Sequence, residues 1–480
     1  MVAANPAQAD AVVRAFSDLS EKLRWDALTE KTRKAVQYEL LDYLGCLIAG
    51  RALMGLPGWV AELAARGGRA DATIVGGRAD AAIVGSPKVP APIAALANGY
   101  YGHVLEYDDT HDDAVLHAGA AAIPAALAAA EYRNINDPKK FLEAALLGIE
   151  VTCRLGMATK LNLVDGGWIY TPLLGQFGAA AAAARLLNAD AKTFAHAFGI
   201  AYSLASGNHQ SSREGASTKH AQPGFAAHNG VNAALMAING LDGVSEVFSG
   251  KDGLARVYLR NQFDAARAVV DLGKSFETER LSFKPYPTCR LTHPAASAAL
   301  ALRARLGAHA QEATALELEV GPQAWDVVGR PEPTRIFPSA KVTAQFSVYW
   351  TVAVAWAYGE VNPLHVFSEV PPTPAVRAWL ERITCKPYAN AGTRDIGGCT
   401  LRVSGAFGTE TITVDYAKGH PDNPFTDEEV TRKFASNVTL AGWHATQAHE
   451  FSAYILRLDR QTTLAPLYRQ LAAPIANARD

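Results

Sequence analysis

Between Asn98 and Gly119 the chain reads NGYYGHVLEYDDTHDDAVLHAG, where an Ala-rich apolar helix runs out into acids, a threonine and three histidines. No other stretch concentrates so much titratable chemistry. Glu106, Asp108, Asp109, His111, Asp112, Asp113 and His117 leave a helix for a loop, and polar residues on a loop fixed by a scaffold are the usual way to build a site. Histidine titrates near neutrality, and carboxylates packed around it tune its pKa and hold its tautomer. The pattern therefore points to acid/base chemistry, with His117 the first candidate. A metal reading is open to the same residues, but no spacing matches an HExxH pair or an EF-hand loop. The plainest alternative is a solvated acidic loop in which Asp109 or Thr110 caps the next helix.

Two further stretches carry cations. In SGNHQSSREGASTKHAQPGFAAHNG, Ser206 to Gly230, the Gly and Ser content and the Pro223-Gly224 pair predict a loop. It would place Lys219, His220 and Gln222 just before a helix starting near Phe225, where free N–H groups and the helix dipole favour an anion. In KPYPTCRLTH, Lys284 to His293, two prolines stiffen the path from which Arg290 and His293 project, and Arg offers bidentate recognition of a carboxylate. Cys289 has no neighbour that marks it as a lowered-pKa thiol. An ordinary surface loop and a domain linker are the plain alternatives for these stretches. Together the three supply His, Lys and Arg, which suits a polycarboxylate: cations neutralise the acid groups and a His moves a proton beside one.

These segments must be positioned by a large scaffold. With 480 residues, 49% of them hydrophobic and 19% charged, the chain can bury the core of more than one domain. A net charge of −2 offers nothing to nucleic acid or an anionic membrane, so the expected partner is a small molecule. Five scattered cysteines, Cys46, Cys153, Cys289, Cys385 and Cys399, form no CxxC pair and argue against a disulfide framework. No basic and apolar leader and no run of about 18 apolar residues is present, so a cytoplasmic protein is expected.

Apolar spacing predicts a helix from a Thr29 cap to a stop at Gly50. Ala-rich helices follow over 91–105, 118–132, 138–157, 172–187, 191–204 and 225–238. GGRADATIVG and GGRADAAIVG, between Gly67 and Gly85, read as a local tandem duplication forming a loop or short strand pair. Near Leu281 the texture changes: a strand is expected over Ala315 to Val320 and a hairpin turning near Gly405 to Gly408, alternating with helices over 295–306, 342–358 and 374–383. Thr426 before DEEV signals a capped helix in a tail that returns to the first domain. The expected fold is mostly α, with an all-helical domain over 1–275, a smaller α+β lid domain over 276–420 and C-terminal helices over 421–480 rejoining the first.

In their order, KAVQYELLDYLGCLIAG, APIAALANGYYGHVLEYDDTH, GQFGAAAAAARLLNAD, TKHAQPGFAAHNGVNAALMA, KPYPTCRLTH and NPFTDEEVTRKF resemble the MmgE/PrpD family, which includes 2-methylcitrate dehydratase, cis-aconitate decarboxylase and iminodisuccinate epimerase. The resemblance implies a homodimer with its active site in the cleft between a helical and a lid domain, and no organic cofactor or metal. It carries active-site roles onto Thr110, His117, Lys219 and His293, keeps Arg290 in context, and puts Glu106 where the family has Asp, with His111 the fallback for His117. Ile169 and Gln222 stand where the family has histidines, with Tyr170 adjacent, and the family's site tyrosine aligns with Tyr349 or Trp350.

The leading expectation is a lyase that dehydrates a small tricarboxylate of the 2-methylcitrate type. Lys219 and Arg290 would clamp carboxylates, His117 or His293 would serve as base, and Glu106 or Thr110 would assist the leaving hydroxyl. Decarboxylation and epimerisation within the same family, a non-catalytic binding protein and a metal-dependent hydratase are the rivals. Ile169, Tyr170, Gln222 and Trp350 suggest a less basic, more apolar pocket. All of this expects the segments around His117, Lys219 and His293 to meet across one crevice.

Overall fold

The protein was analysed as a computed structural model, which describes residues 10–65, 72–73, 88–162, 166–388, 398–473 and 475. The tandem duplication lies outside the described residues, save Ala72 and Thr73, which pair antiparallel with Lys88 and Val89.

Thr29 starts the first long helix, its Oγ1 accepting from the Thr32 N–H at 3.1 Å. That helix, Glu30–Met54, runs through Gly50 and ends at Gly55, whose φ of 63° reverses the chain. Gly50 is instead a contact glycine: a Cβ there would lie 2.1 Å from the Tyr101 carbonyl oxygen. The Ala-rich segments form the helices Ala91–His103, Gly119–Tyr132, Pro138–Ala158, Tyr170–Leu186, Ala191–Ser203 and Thr218–Ile238. Tyr170–Leu186 buries every residue except Arg185, as a helix surrounded by others must.

Thr218–Ile238 begins seven residues earlier than its sequence suggests, so Lys219, His220 and Gln222 belong to its first turns and Pro223 lies inside it. Proline has no N–H to give the Lys219 carbonyl, a cost normally avoided beyond the first turn. Packing outweighs it. A Cβ on Gly224 would sit 2.3 Å from the Leu96 carbonyl oxygen and one on Gly99 2.7 Å from Gly224 Cα, so the helices Ala91–His103 and Thr218–Ile238 cross backbone to backbone. His103 and Lys219 lie four and five residues from that crossing, about 6–8 Å along each axis.

A second apolar core, separate from the helical one, gathers residues between Cys289 and Val403. It packs the helices His293–Leu306 and Val348–Tyr358 against a four-stranded sheet in the order Ile383–Pro387, Ala313–Val320, Cys399–Gly405, Gly408–Val414. The first pair is parallel (Leu316 opposite Ile383) and the others are antiparallel (Leu318 opposite Leu401). The helix expected over 342–358 breaks into Lys341–Gln345 and Val348–Tyr358, because Ser347 caps the second piece, its Oγ accepting from Trp350 N at 3.0 Å. The expected helix over 374–383 stops at Leu380 and its end becomes a strand.

In the tail, Thr426 and Glu429 form a reciprocal capping box on Asp427–Thr439. Phe434 closes over Gly45, and residues from Val430 to Ile475 join the helical core. All five cysteines are free. Among the described residues no single helix is long and apolar enough to cross a membrane.

Candidate active site

The loop after the helix Ala91–His103 is tied down by its own acids. Asp109 accepts from the N–H groups of Ala118 (2.9 Å) and Gly119 (3.2 Å), so it anchors the start of the next helix. Thr110 exchanges two backbone hydrogen bonds with Ser282, which stitches the loop to the segment leading into the second core. Asp112 accepts from Thr110 Oγ1, Ser282 Oγ and the Arg290 guanidinium. Burial pushes the Asp112 carboxyl up, but Arg290 beside it outweighs that and holds it below its ordinary value.

Glu106 sits at φ 51°, a left-handed conformation costly for a non-glycine residue and retained where surroundings enforce it. Lys284 enforces it, its Nζ reaching the Glu106 carbonyl at 2.9 Å and the carboxylate at 3.4 Å. Lys219, from the crossing helix, pairs with the other carboxylate oxygen. Lys219 Nζ also lies 2.9 Å from His103 Nε2 and 4.7 Å from the Phe346 ring centre. An ammonium can only donate, so His103 Nε2 is the acceptor and its Nδ1 carries the proton toward Asp108, at 2.9 Å. His117 Nδ1 lies 3.1 Å from the same carboxylate, off-axis for a full hydrogen bond, while its Nε2 faces Glu106 at 3.9 Å.

Burial dominates the electrostatics. It pulls His103 down to about 4, with Lys219 adding to the effect and Asp108 opposing it. His117 is lowered for the same reason, again against Asp108. Burial also raises Asp108, but the two histidines bound to it outweigh that and hold it well below the carboxylate range. Lys219 is pushed down by burial and by the Lys284 charge.

These groups face one cavity of about 100 Å³, on the order of seven to ten water-sized positions, which suits a small organic acid. Glu106, Thr110, His111, His117, Lys219 and Arg290 all line it, and so does Ile169. Its far wall comes from the second core, through Cys289, Gln323, Val327 and Phe346. Burial raises the Cys289 thiol, leaving it protonated and unreactive. His111 is wall rather than machinery, since Nδ1 accepts from Ala114 N and Nε2 contacts Glu277 at 3.3 Å.

Five expected site residues lie outside this lining. His293 is fully buried, its Nε2 donating to the Thr288 carbonyl at 3.1 Å and its ring packed on Tyr286. Gln222 spends its amide on Asn208 and Ser211 and so holds the 208–211 turn. Tyr170 bonds the Leu161 carbonyl, Tyr349 the Gly329 carbonyl at 2.8 Å, and Trp350 the Glu369 carbonyl at 3.0 Å. Apart from His293, whose Nδ1 is buried without a hydrogen-bond partner, the polar end of each buried side chain is satisfied by nearby protein, as burial demands. The less basic lining inferred from four positions therefore rests on Ile169 alone. Sequence reasoning passed over His103, Asp108 as its partner, and Lys284. The available signal was His103 at the end of its helix, three residues ahead of Glu106 and five ahead of Asp108.

His103, Asp108 and His117 also bring donor atoms within 4.8 Å of one another, the kind of set a divalent metal accepts. Lys219 and Lys284, both buried beside this set, place positive charge where a dication would sit and disfavour it.

Residues 14–266 match the MmgE/PrpD N-terminal domain and residues 286–459 the MmgE/PrpD C-terminal domain. The chain belongs to the MmgE/PrpD family. Relatives of this MmgE/PrpD chain include cis-aconitate decarboxylase of Aspergillus terreus, 26% identical over 417 residues, which are 80% of this chain and 81% of the relative. The human cis-aconitate decarboxylase is 24% identical over 369 residues, 75% of this chain and 76% of that protein. The cis-aconitate decarboxylase-like protein oryM of Aspergillus oryzae is 36% identical over 154 residues, 31% of this chain and 32% of oryM. Family members act as enzymes on carboxylates.

Proposed function

We propose that this chain is a lyase that decarboxylates a small unsaturated polycarboxylate of the cis-aconitate type, with its own side chains as acid and base. One observation carries the carboxylate reading. Arg290 Nη1 is buried with no hydrogen-bond partner and faces the cavity that His117 also lines, although Nε and Nη2 of the same guanidinium are spent on Asp112. A buried, unpaired guanidinium nitrogen is costly unless a ligand completes it, and a carboxylate does so best. Decarboxylation takes precedence over the dehydration expected from sequence because relatives named for it align over three quarters or more of both chains.

Loss of one carboxylate as CO2 leaves its electron pair on the adjacent carbon, spread through the neighbouring double bond toward the next carboxylate. One proton must then reach carbon, giving a methylene-substituted dicarboxylate. His117 is the donor. Its pKa is low in the free protein, but the negative charge of a bound polycarboxylate raises it, so the imidazole enters the complex protonated. Arg290 Nη1 holds a carboxylate that stays, and Lys219, paired with Glu106, adds positive charge beside it.

The test is to supply cis-aconitate and 2-methylcitrate separately, following CO2 release and the absorbance of new conjugated acids. CO2 from cis-aconitate in one-to-one yield with a methylene dicarboxylate is the expected result. A new conjugated acid from 2-methylcitrate with no CO2 from either substrate would replace this reading with dehydration.

A further inference from the structure

The site's three strongest cations are already engaged by the protein: Lys219 and Lys284 meet Glu106, and Arg290 meets Asp112. Only one nitrogen of Arg290 is left to a substrate with several negative charges, and Ile169 adds none. A second source of positive charge lies beside the cavity. There a smaller hollow of about 70 Å³ shares the walls His209, Ser212, Val327 and Phe346 with the catalytic cavity, so the two adjoin. Arg213 and Arg335 complete its wall, with Glu332 at the rim.

The polar atoms here are incomplete in a consistent way. Arg335 Nη1, His209 Nδ1, Ser212 Oγ and Gln323 Oε1 are all buried without a hydrogen-bond partner. His209 and Ser212 are each 8% exposed and Gln323 is 3% exposed, so bulk water does not complete them. Three of these belong to the small hollow and Gln323 to the adjoining cavity, and such a cluster of orphaned polar atoms calls for an explanation, which a bound anion supplies. Among the described residues the Arg335 side chain has one ion pair, to Glu332 at 3.6 Å, and Glu332 is itself half exposed. Burial lowers the Arg335 pKa against the pull of Glu332, with Arg213 and Arg330 adding to it, and burial lowers His209 to about 4. An anion would relieve that crowding.

We propose that Arg335, with Ser212 and His209, forms a second carboxylate subsite in the adjoining hollow, holding the acid group of the substrate furthest from His117. The substrate is thereby an elongated polycarboxylate gripped at both ends, Arg290 near the reacting carbon and Arg335 at the other. This rests on the carboxylate reading above for the inner end. Gln323, from the short helix Pro322–Ala324, lines the adjoining cavity and orients the ligand's neighbouring polar group. The segments come from both cores, Gln210–Glu214 with His209 from the helical part and Pro333–Ile336 from the other, so neither core forms the subsite alone.

Binding of acids that cannot react separates this claim from the turnover claim. Propane-1,2,3-tricarboxylate spans both ends, whereas acetate reaches one, and calorimetry on the full chain reads both. Arg335→Gln is expected to weaken the tricarboxylate ~10- to 100-fold, the loss of a charge-assisted hydrogen bond, and to leave acetate within about twofold. Arg290→Gln should weaken both. Ser212→Ala, which removes one hydroxyl and no charge, should cost the tricarboxylate about three- to tenfold and serves if Arg335→Gln does not fold. Unchanged tricarboxylate affinity in a folded Arg335→Gln protein, or in Ser212→Ala if that must stand in, overturns the subsite whatever the enzyme turns over. A loss of tricarboxylate affinity alongside no turnover of any acid would keep the subsite and remove the decarboxylase.

Discussion

The rings of His103 and His117 meet edge to face, centroids 4.6 Å apart, and both direct Nδ1 at one carboxylate, Asp108. Their other nitrogens diverge: His103 Nε2 is consumed by Lys219, and His117 Nε2 looks into the cavity. On the proposed mechanism, two chemically equal side chains thus divide into a positioning residue and a proton carrier.

His117→Gln should lower kcat by ~10²–10⁴-fold while KM moves only a few-fold, because the group acts on the proton and not on the carboxylates. His103→Gln should leave a folded enzyme whose pH profile shifts, since it reaches the substrate only through Lys219 and Asp108. Steady-state kinetics on both variants, with thermal melts as folding controls, decide this. Equal kcat for His117→Gln and the unaltered protein would remove His117 from the mechanism.

The pH dependence of kcat distinguishes proton delivery from proton abstraction. If His117 delivers a proton, kcat is flat at low pH and falls tenfold per unit as pH rises through its value in the complex. If it abstracts one, as dehydration or epimerisation requires, the limb runs the other way. In kcat/KM the limb reports the free enzyme, where burial lowers His117, so it should lie below the ordinary histidine value near 6.5.

Stability should fall as pH drops from about 6.5 toward 4. His103 is held near 4 in the fold but near 6.5 when unfolded, so between those values the unfolded chain binds the extra proton and stability rises with pH. The slope is ~1.4 kcal/mol per pH unit for each histidine so buried, and His103→Gln should make it shallower by about one proton. Urea midpoints at pH 7 and pH 5 measure it, and an unchanged slope in the variant would contradict the assignment.

Lys433 anchors the site from the C-terminal helix, 2.6 Å from Asp42 and 2.7 Å from the Tyr107 carbonyl. Lys433→Met would leave Asp42 as an unpaired buried carboxylate, with an expected loss of ~3–5 kcal/mol. The deficit should shrink at low pH, as Asp42 takes up a proton, and Asp42→Asn in the same chain should restore much of it. Chemical denaturation of the two variants is the check.

Gly224→Ala has no room at the crossing with Leu96, and forcing the helices apart should cost ~1–3 kcal/mol. Because His103 and Lys219 lie close to that crossing, kcat should drop at temperatures where the variant is fully folded. Melting curves paired with kinetics would show stability lost without activity if the crossing did not position the site.

Much was legible in the chain alone: the family motifs, the caps at Thr29 and Thr426, the Ala-rich helices, the hairpin after Cys399, and the residue types of Glu106, His117, Lys219 and Arg290. Those features are local, set by capping chemistry and by spacing along one segment. What only the tertiary structure decided is where side chains point once helices cross. A helix apolar on every face carries no mark of which face meets which neighbour, so the backbone contact of Gly99 with Gly224 had to select it, and with it the meeting of His103 and Lys219. The same crossing carries Thr218–Ile238 through Pro223. Tyr349 and Trp350 bond carbonyls on other segments, those of Gly329 and Glu369, and their absence from the cavity lining follows from hydrogen-bond satisfaction in three dimensions, which no spacing along the chain encodes.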